Sequence, residues 1–316
     1  MSRKLLGLAA ALALACGLCR VEARAQNAAG AAPGAKEIAV TFDDLPLNGP
    51  QFDAPRLREM TAKLLAVIKK HGVPAVGFVN ESLLYVPGET EARIGVLRQW
   101  ADAGVELGNH TFSHLGFKGA SLAAYEDDFV RGDSVTRTLM KQKGGRVRYF
   151  RHPFLQMGET KELELMFESF IAERGYRIAP VTVDPMDWMV LAAYNKARRE
   201  QSAEMLKRVS EEYLKFSEER LEFSERLAGR LFGRPIRHIL LLHANELNAD
   251  TFDGMVRMMK ARGYRFVTLE EALADEAYKY PDKYVDNSHW LTLWAASKGV
   301  PFNPPSPSEF LQQNSR

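Results

Sequence analysis

The chain has 316 residues, of which 46% are hydrophobic and 26% charged. This ordinary globular composition allows one large α/β domain or at most two. The formal net charge is +2, and the first 25 residues carry Arg3, Lys4, Arg20 and Arg24 against Glu22 alone, so their removal leaves −1 and no electrostatic case for nucleic acid. Both cysteines, Cys16 and Cys19, lie in that stretch; without it, disulfide and thiolate chemistry are excluded and metal ligands must be histidine or carboxylate.

Residues 1–25 read as a signal peptide: Arg3-Lys4, an apolar run over 5–18, then Ala23-Arg24-Ala25 before Gln26, with cleavage expected after Ala25. The apolar run is shorter than the roughly 20 residues of a membrane-spanning helix. The expectation is an exported protein, periplasmic or secreted, with no stable membrane insertion after cleavage. Residues 26–36, rich in Ala, Gly and Pro, read as a flexible linker.

From residue 37 to 275 apolar runs alternate with helical patterns. Strands are predicted over 38–42, 75–79, 105–107, 147–150, 178–183, 239–242 and 266–269, with amphipathic helices at 56–70, 91–103 and 251–262 among the connections. Such alternation implies a parallel sheet, and about seven units favour a closed barrel over an open sheet. The charged stretch 192–229 reads as one or two inserted solvated helices, either a wall of the groove or an exterior hairpin. Residues 276–316 form a C-terminal extension expected to pack through Trp290 and Trp294 and to fray beyond Pro301. The chain has no Gly-rich phosphate loop, His-Glu-x-x-His helix or Gly-x-Ser-x-Gly elbow.

Chemistry-bearing residues follow the strands. Thr41-Phe42-Asp43-Asp44 closes the first, and two adjacent carboxylates there can divide the work, one ligating a cation and the other taking a proton. His110 and His114, just after the third strand, supply two imidazoles at His-x-x-x-His spacing, and an Asp with two His makes a metal site. Arg151-His152-Pro153, the run from Asp184 to Trp188, and His243 stand at or just past the ends of later strands. In a parallel barrel those ends converge on one face, so residues about two hundred positions apart can share a cleft.

Through these motifs the chain resembles the NodB-homology polysaccharide deacetylases, carbohydrate esterase family 4, over roughly residues 37–274. The resemblance implies a distorted (β/α)7-type TIM-like barrel with a helical insertion. It implies that Asp43 is the general base, and that Asp44, His110 and His114 are metal ligands. It makes Arg151, in Arg151-His152-Pro153-Phe154, the residue that orients the base, with Pro153 and Phe154 beside the substrate. Asp184-Pro185-Met186-Asp187-Trp188 supplies an Asp partner and a Trp wall, and Leu241-Leu242-His243 supplies an acetyl-pocket Leu241 and the general acid His243. The family's Asp after that histidine is replaced here by Ala244-Asn245-Glu246. The sequence leaves open which of Asp184 and Asp187 pairs with Arg151 and which with His243. His152 and His238 are expected to be structural or exposed.

The expected activity is metal-dependent hydrolysis of N-acetyl groups on an amino-sugar polymer, a peptidoglycan- or chitin-like glycan. One divalent cation is implied, zinc first, with cobalt or another first-row metal also compatible with a His2Asp set. The alternatives are an O-acetyl esterase on a glycan such as acetyl-xylan, and a non-catalytic glycan-binding protein.

Overall fold

The computed structural model describes residues 35–47, 52–281, 283–285 and 288–315; the expected signal peptide and the linker before Ala35 lie outside the described residues. Residues Lys36–Arg316 form one compact unit. In chain order its elements are β1 (Lys36–Leu45), α1 (Ala54–His71), β2 (Ala75–Val79), α2 (Thr90–Asp102), β3 (Glu106–Asn109), α3 (Leu122–Arg131), α4 (Ser134–Gln142) and β4 (Tyr149–Phe150). There follow α5 (Lys161–Glu173), β5 (Arg177–Ile178), α6 (Asp187–Arg199), α7 (Ala203–Phe232), β6 (Arg237–His243), α8 (Glu246–Ala261), β7 (Tyr264–Phe266), α9 (Leu269–Leu273), α10 (Trp290–Lys298) and α11 (Glu309–Asn314).

β1 is buried along almost its whole length because it is the centre of the sheet. It pairs in parallel with β2 and β6, and at its first residues with β7. The order β5-β4-β3-β2-β1-β6 is parallel throughout, and helices cover it as βαβ crossovers require. α1 shows how the sequence sets such a cover: Asp53 caps its start by accepting from Arg56 N, Gly72 closes it at φ 63, and Leu57, Met60, Leu64 and Ile68 recur on the buried stripe.

The predicted strand over 178–183 is divided. β5 stops after Ile178, Pro180 has no N–H to extend a ladder, and Val183 then pairs with Leu240 of β6. The segment therefore leaves one edge of the sheet and arrives at the other, curling it into the expected distorted (β/α)7-type barrel. The last predicted strand is displaced from 266–269 to Tyr264–Phe266, since Thr268 begins α9 with a capping box against Glu271.

The inserted helices are not solvated all round. α6 starts at Asp187, and α7 runs to Phe232 with Val209, Tyr213, Phe216, Leu227 and Leu231 buried. None of residues 192–229 lines the cleft described below. Nor does the chain fray beyond Pro301: Leu311 of α11 is buried in the main core, and Phe310 lies under the Arg208 guanidinium at 3.9 Å. Trp290 and Trp294 pack with Phe223 and Leu227 of α7, as the tail's aromatics suggested.

Two buried histidines give a stability prediction. His238 lies 3.2 Å from Thr182 Oγ1, and burial pulls its pKa down to about 4. His152 lies 2.8 Å from Tyr125 Oη; burial, then the charge of Arg151, pulls its pKa down to about 3. Both are neutral in the fold, whereas the unfolded chain takes up their protons below about 6.5. Stability is thus full above that pH and is lost as pH falls towards 4 and 3, by about 1.4 kcal/mol per histidine per pH unit. Urea midpoints measured from pH 7 to 5 should fall, and His238→Gln should flatten the slope; an unchanged slope refutes the assignment.

Candidate active site

In a regular strand Asp43 and Asp44 would face opposite sides of the sheet. Here the β1–β2 register shifts between Phe42 and Leu45, and Asp44 takes φ 63. This bulge turns both carboxylates into one cleft. The β1–β6 register sets Asp43 opposite His243, bringing together residues two hundred positions apart.

His110 follows β3, and its N–H bonds Val79 O at 3.1 Å. Its Nδ1 lies 2.7 Å from Arg151 O; a carbonyl can only accept, so Nδ1 carries the proton and Nε2 presents its lone pair to the cleft. Asp128 secures the following loop by accepting from Ser113 N and Oγ, both at 3.0 Å. Thr111 and His114 have φ 62 and 59, and with Asp44 they place three left-handed non-glycine residues around one point. Such strain persists only where surrounding contacts enforce it.

Asp44, His110 and His114 offer donor atoms all within 4.8 Å of one another. Asp44 Oδ1 lies 3.6 Å from His110 Nε2 and 3.4 Å from His114 Nε2. Two zinc ligands at tetrahedral angles stand about 3.4 Å apart. Burial, then mutual repulsion, holds His110 well below the usual histidine range, and burial also lowers His114, so both imidazoles are neutral donors. Among the described residues Asp44 Oδ1 is buried without a hydrogen-bond partner. An orphaned carboxylate oxygen facing two neutral imidazoles fits a divalent cation, and the N2O set suits zinc or cobalt.

Arg151 is fully buried beneath this point. Its NH1 reaches Asp43 Oδ1 and Oδ2 at 3.2 and 3.3 Å, NH2 reaches Thr41 Oγ1 at 3.1 Å, and Nε reaches Ala179 O at 2.6 Å. The guanidinium also lies 4.7 Å from the Phe78 ring centroid. Burial raises the Asp43 pKa to about 6 against the opposing pull of Arg151.

The pairing left open by the sequence is resolved by distance. Asp187 Oδ1 lies 2.7 Å from His243 Nδ1, and Oδ2 accepts His243 N at 2.8 Å. Asn245 Nδ2 at 3.1 Å and Asn248 Nδ2 complete its cradle. Burial alone would lower the His243 pKa, but the charge and hydrogen bond of Asp187 raise it to about 10. Its ring is therefore a cation with Nε2 free to donate. Asp184 bonds neither Arg151 nor His243; its Oδ1 accepts Met186 N at 2.7 Å and it lines the cleft.

The cleft encloses about 420 Å³. Trp188 and Phe154, 53% and 58% exposed, stand at it as projecting aromatics, with Leu155, Leu241 and His152 also lining it. Pro153, expected at the substrate, is buried and does not line the cleft: it opens a short turn whose next residue, Phe154 at φ 55, projects instead. Asn245 and Asn248 were missed. Their signal was the Asn-x-x-Asn pattern that begins two positions after His243 and caps α8 through Asn245 Oδ1 and Asn248 N at 2.8 Å.

The family model for polysaccharide deacetylase matches residues 30–166. A Bacillus cereus peptidoglycan-N-acetylglucosamine deacetylase is 24% identical over 240 residues, covering 74% of this chain and 66% of that protein, so the chain spans a little under two thirds of this relative. An uncharacterized 30.6 kDa protein of Geobacillus stearothermophilus is 24% identical over 252 residues, covering 80% and 76% of the two chains. Among solved structures, a CE4 family pseudoenzyme from Bacillus anthracis aligns with TM-score 0.51 and 19% identity over 77% of this chain and 66% of its own, a likeness of fold. The family model, the curled parallel barrel and the ordered motifs agree in likening the chain to the polysaccharide deacetylases.

Proposed function

We propose that the protein is a metal-dependent hydrolase that removes N-acetyl groups from an amino-sugar polymer of the peptidoglycan or chitin kind. The observation that carries the reading is the complete set around one cleft: Asp44, His110 and His114 within ligand distance, Asp43 held by Arg151, and His243 held by Asp187. A glycan-binding module needs no such acid–base pair. The 1–25 segment supports export to the periplasm or beyond, where such polymers lie; among the described residues no helix is long and apolar enough to cross a membrane.

A cation held by Asp44, His110 and His114 supplies Lewis-acid polarisation of the acetyl carbonyl and acidifies water. Asp43, ionised beside Arg151, takes the proton of the attacking water. His243 gives its Nε2 proton to the departing amine, which is essential because an amide anion is a poor leaving group. Leu241 and Leu155 enclose the acetyl methyl, and Trp188 and Phe154 offer faces to sugar rings.

Acetate release from acetylated chito-oligomers, peptidoglycan and acetyl-xylan, with and without chelator, tests the reading. The first two should release acetate, chelator should stop it and zinc restore it. Acetate from acetyl-xylan alone would support the esterase instead, and none from any substrate the binding protein. Metal analysis should find one equivalent, lost in the His110→Ala, His114→Ala double variant; unchanged stoichiometry refutes the metal site.

A further inference from the structure

The segment after β5 has two sides. One faces β6, where Val183 O accepts Leu241 N at 3.0 Å. On the other, carbonyls accept from the insertion helix and the C-terminal tail in place of a strand. Trp290 N donates to Val181 O at 2.9 Å, Ser224 Oγ to Thr182 O at 3.0 Å, and Arg220 Nε to Asp184 O at 2.8 Å.

Arg220 is the costly member of this set. It is buried, and among the described residues no carboxylate forms an ion pair with it. A guanidinium out of water without a contacting anion is unfavourable, and an apolar side chain would serve the α7 core as well. Its other bond runs from NH2 to His289 Nε2 at 3.2 Å. Burial and the Arg220 charge keep His289 neutral, with its pKa at about 3, so Nε2 accepts and the buried Nδ1, without a partner among the described residues, carries the proton. What offsets the cost is the Asp184 carbonyl, attraction to the Asp184 carboxylate and the Phe223 ring, whose centroid lies 5.9 Å from the guanidinium.

The turn gripped in this way delivers much of the cleft. Asp184 lines it, Met186 holds φ 56, Asp187 grips His243 and Trp188 projects beside the opening. We propose that Arg220 is a positioning residue: holding Asp184 O from behind, with His289 of the tail orienting its guanidinium, it fixes the 184–188 turn and through Asp187 the place of His243. The insertion and the tail are thereby part of the site's support, neither groove wall nor exterior decoration.

The kinetic arm of the test rests on the deacetylase reading; the exchange arm does not. In Arg220→Met, amide exchange over residues 182–189 should quicken about tenfold or more while β1 and α1 keep wild-type rates. With the cation stoichiometry unchanged, kcat/KM on acetylated chito-oligomers should fall roughly 10- to 100-fold, as misplacement of catalytic groups by a fraction of an ångström does. Arg220→Lys keeps the charge but cannot bond Asp184 O and His289 together, so it should restore only part of both; His289→Leu should show a milder loss of the same kind. Should Arg220→Met fail to fold, those two variants decide. Wild-type exchange over 182–189 in folded Arg220→Met, or in both milder variants, overturns the proposal. If the wild-type protein releases no acetate, the deacetylase reading fails while the exchange arm still decides this one.

Discussion

Asp43→Asn should keep its cation and lose turnover by roughly 100- to 10,000-fold, the range typical of removing a general base. The amide is nearly isosteric but cannot accept the water proton. Arg151 would remain buried against a neutral partner, so some loss of stability should accompany the kinetic one, and folding must be checked by circular dichroism before rates are compared. Asp44→Asn should behave differently: an anionic oxygen ligand becomes neutral, metal affinity falls, and excess zinc restores part of the activity. Metal content and rate measured together on both variants separate the roles. The assignment fails if Asp43→Asn is the one rescued by metal while Asp44→Asn stays fully loaded and inactive. The wild-type pH profile carries the same information. Asp43 must be ionised, so activity falls as pH drops through its pKa, about 6 by burial against Arg151 and lower once a cation's charge is beside it.

Asp187→Asn should be comparably damaging through a different limb of that profile. His243 must be protonated to donate, and Asp187 is what holds its pKa up to about 10 against burial. Without the anion, burial prevails and the pKa falls towards or below the ordinary histidine value of about 6.5. The basic limb of kcat should therefore move from near 10 into the neutral range. At pH 8 turnover should drop by roughly 30-fold or more, because a group of pKa about 6.5 or below is protonated in at most about one molecule in thirty there. An ester substrate, whose leaving group needs less help, should suffer less. A pH–rate profile with its basic limb unmoved would show that Asp187 does not set the protonation of His243.

The sequence by itself determined the alternation of strands and helices and the motifs at strand ends, because local periodicity and ligand chemistry are written in neighbouring residues. Asp43, Asp44, His110, His114, Arg151 and His243 were legible as candidates for that reason. Tertiary structure decided what depends on long-range contact. Asp187 takes His243 because α6 begins directly opposite the end of β6, at 2.7 Å, whereas Asp184 is turned aside by its own bond to Met186 N. The bulge that aims two adjacent carboxylates the same way appears only in the register with β2. Of the expected pair Pro153 and Phe154 only Phe154 reaches the cleft, because Phe154 and Leu155 take left-handed backbone in a short turn. The charged stretch misled because a helix of mean hydrophilic character can bury one stripe; Arg220 shows that even a cation on it can belong to the interior once a carbonyl and an imidazole from distant segments meet it there.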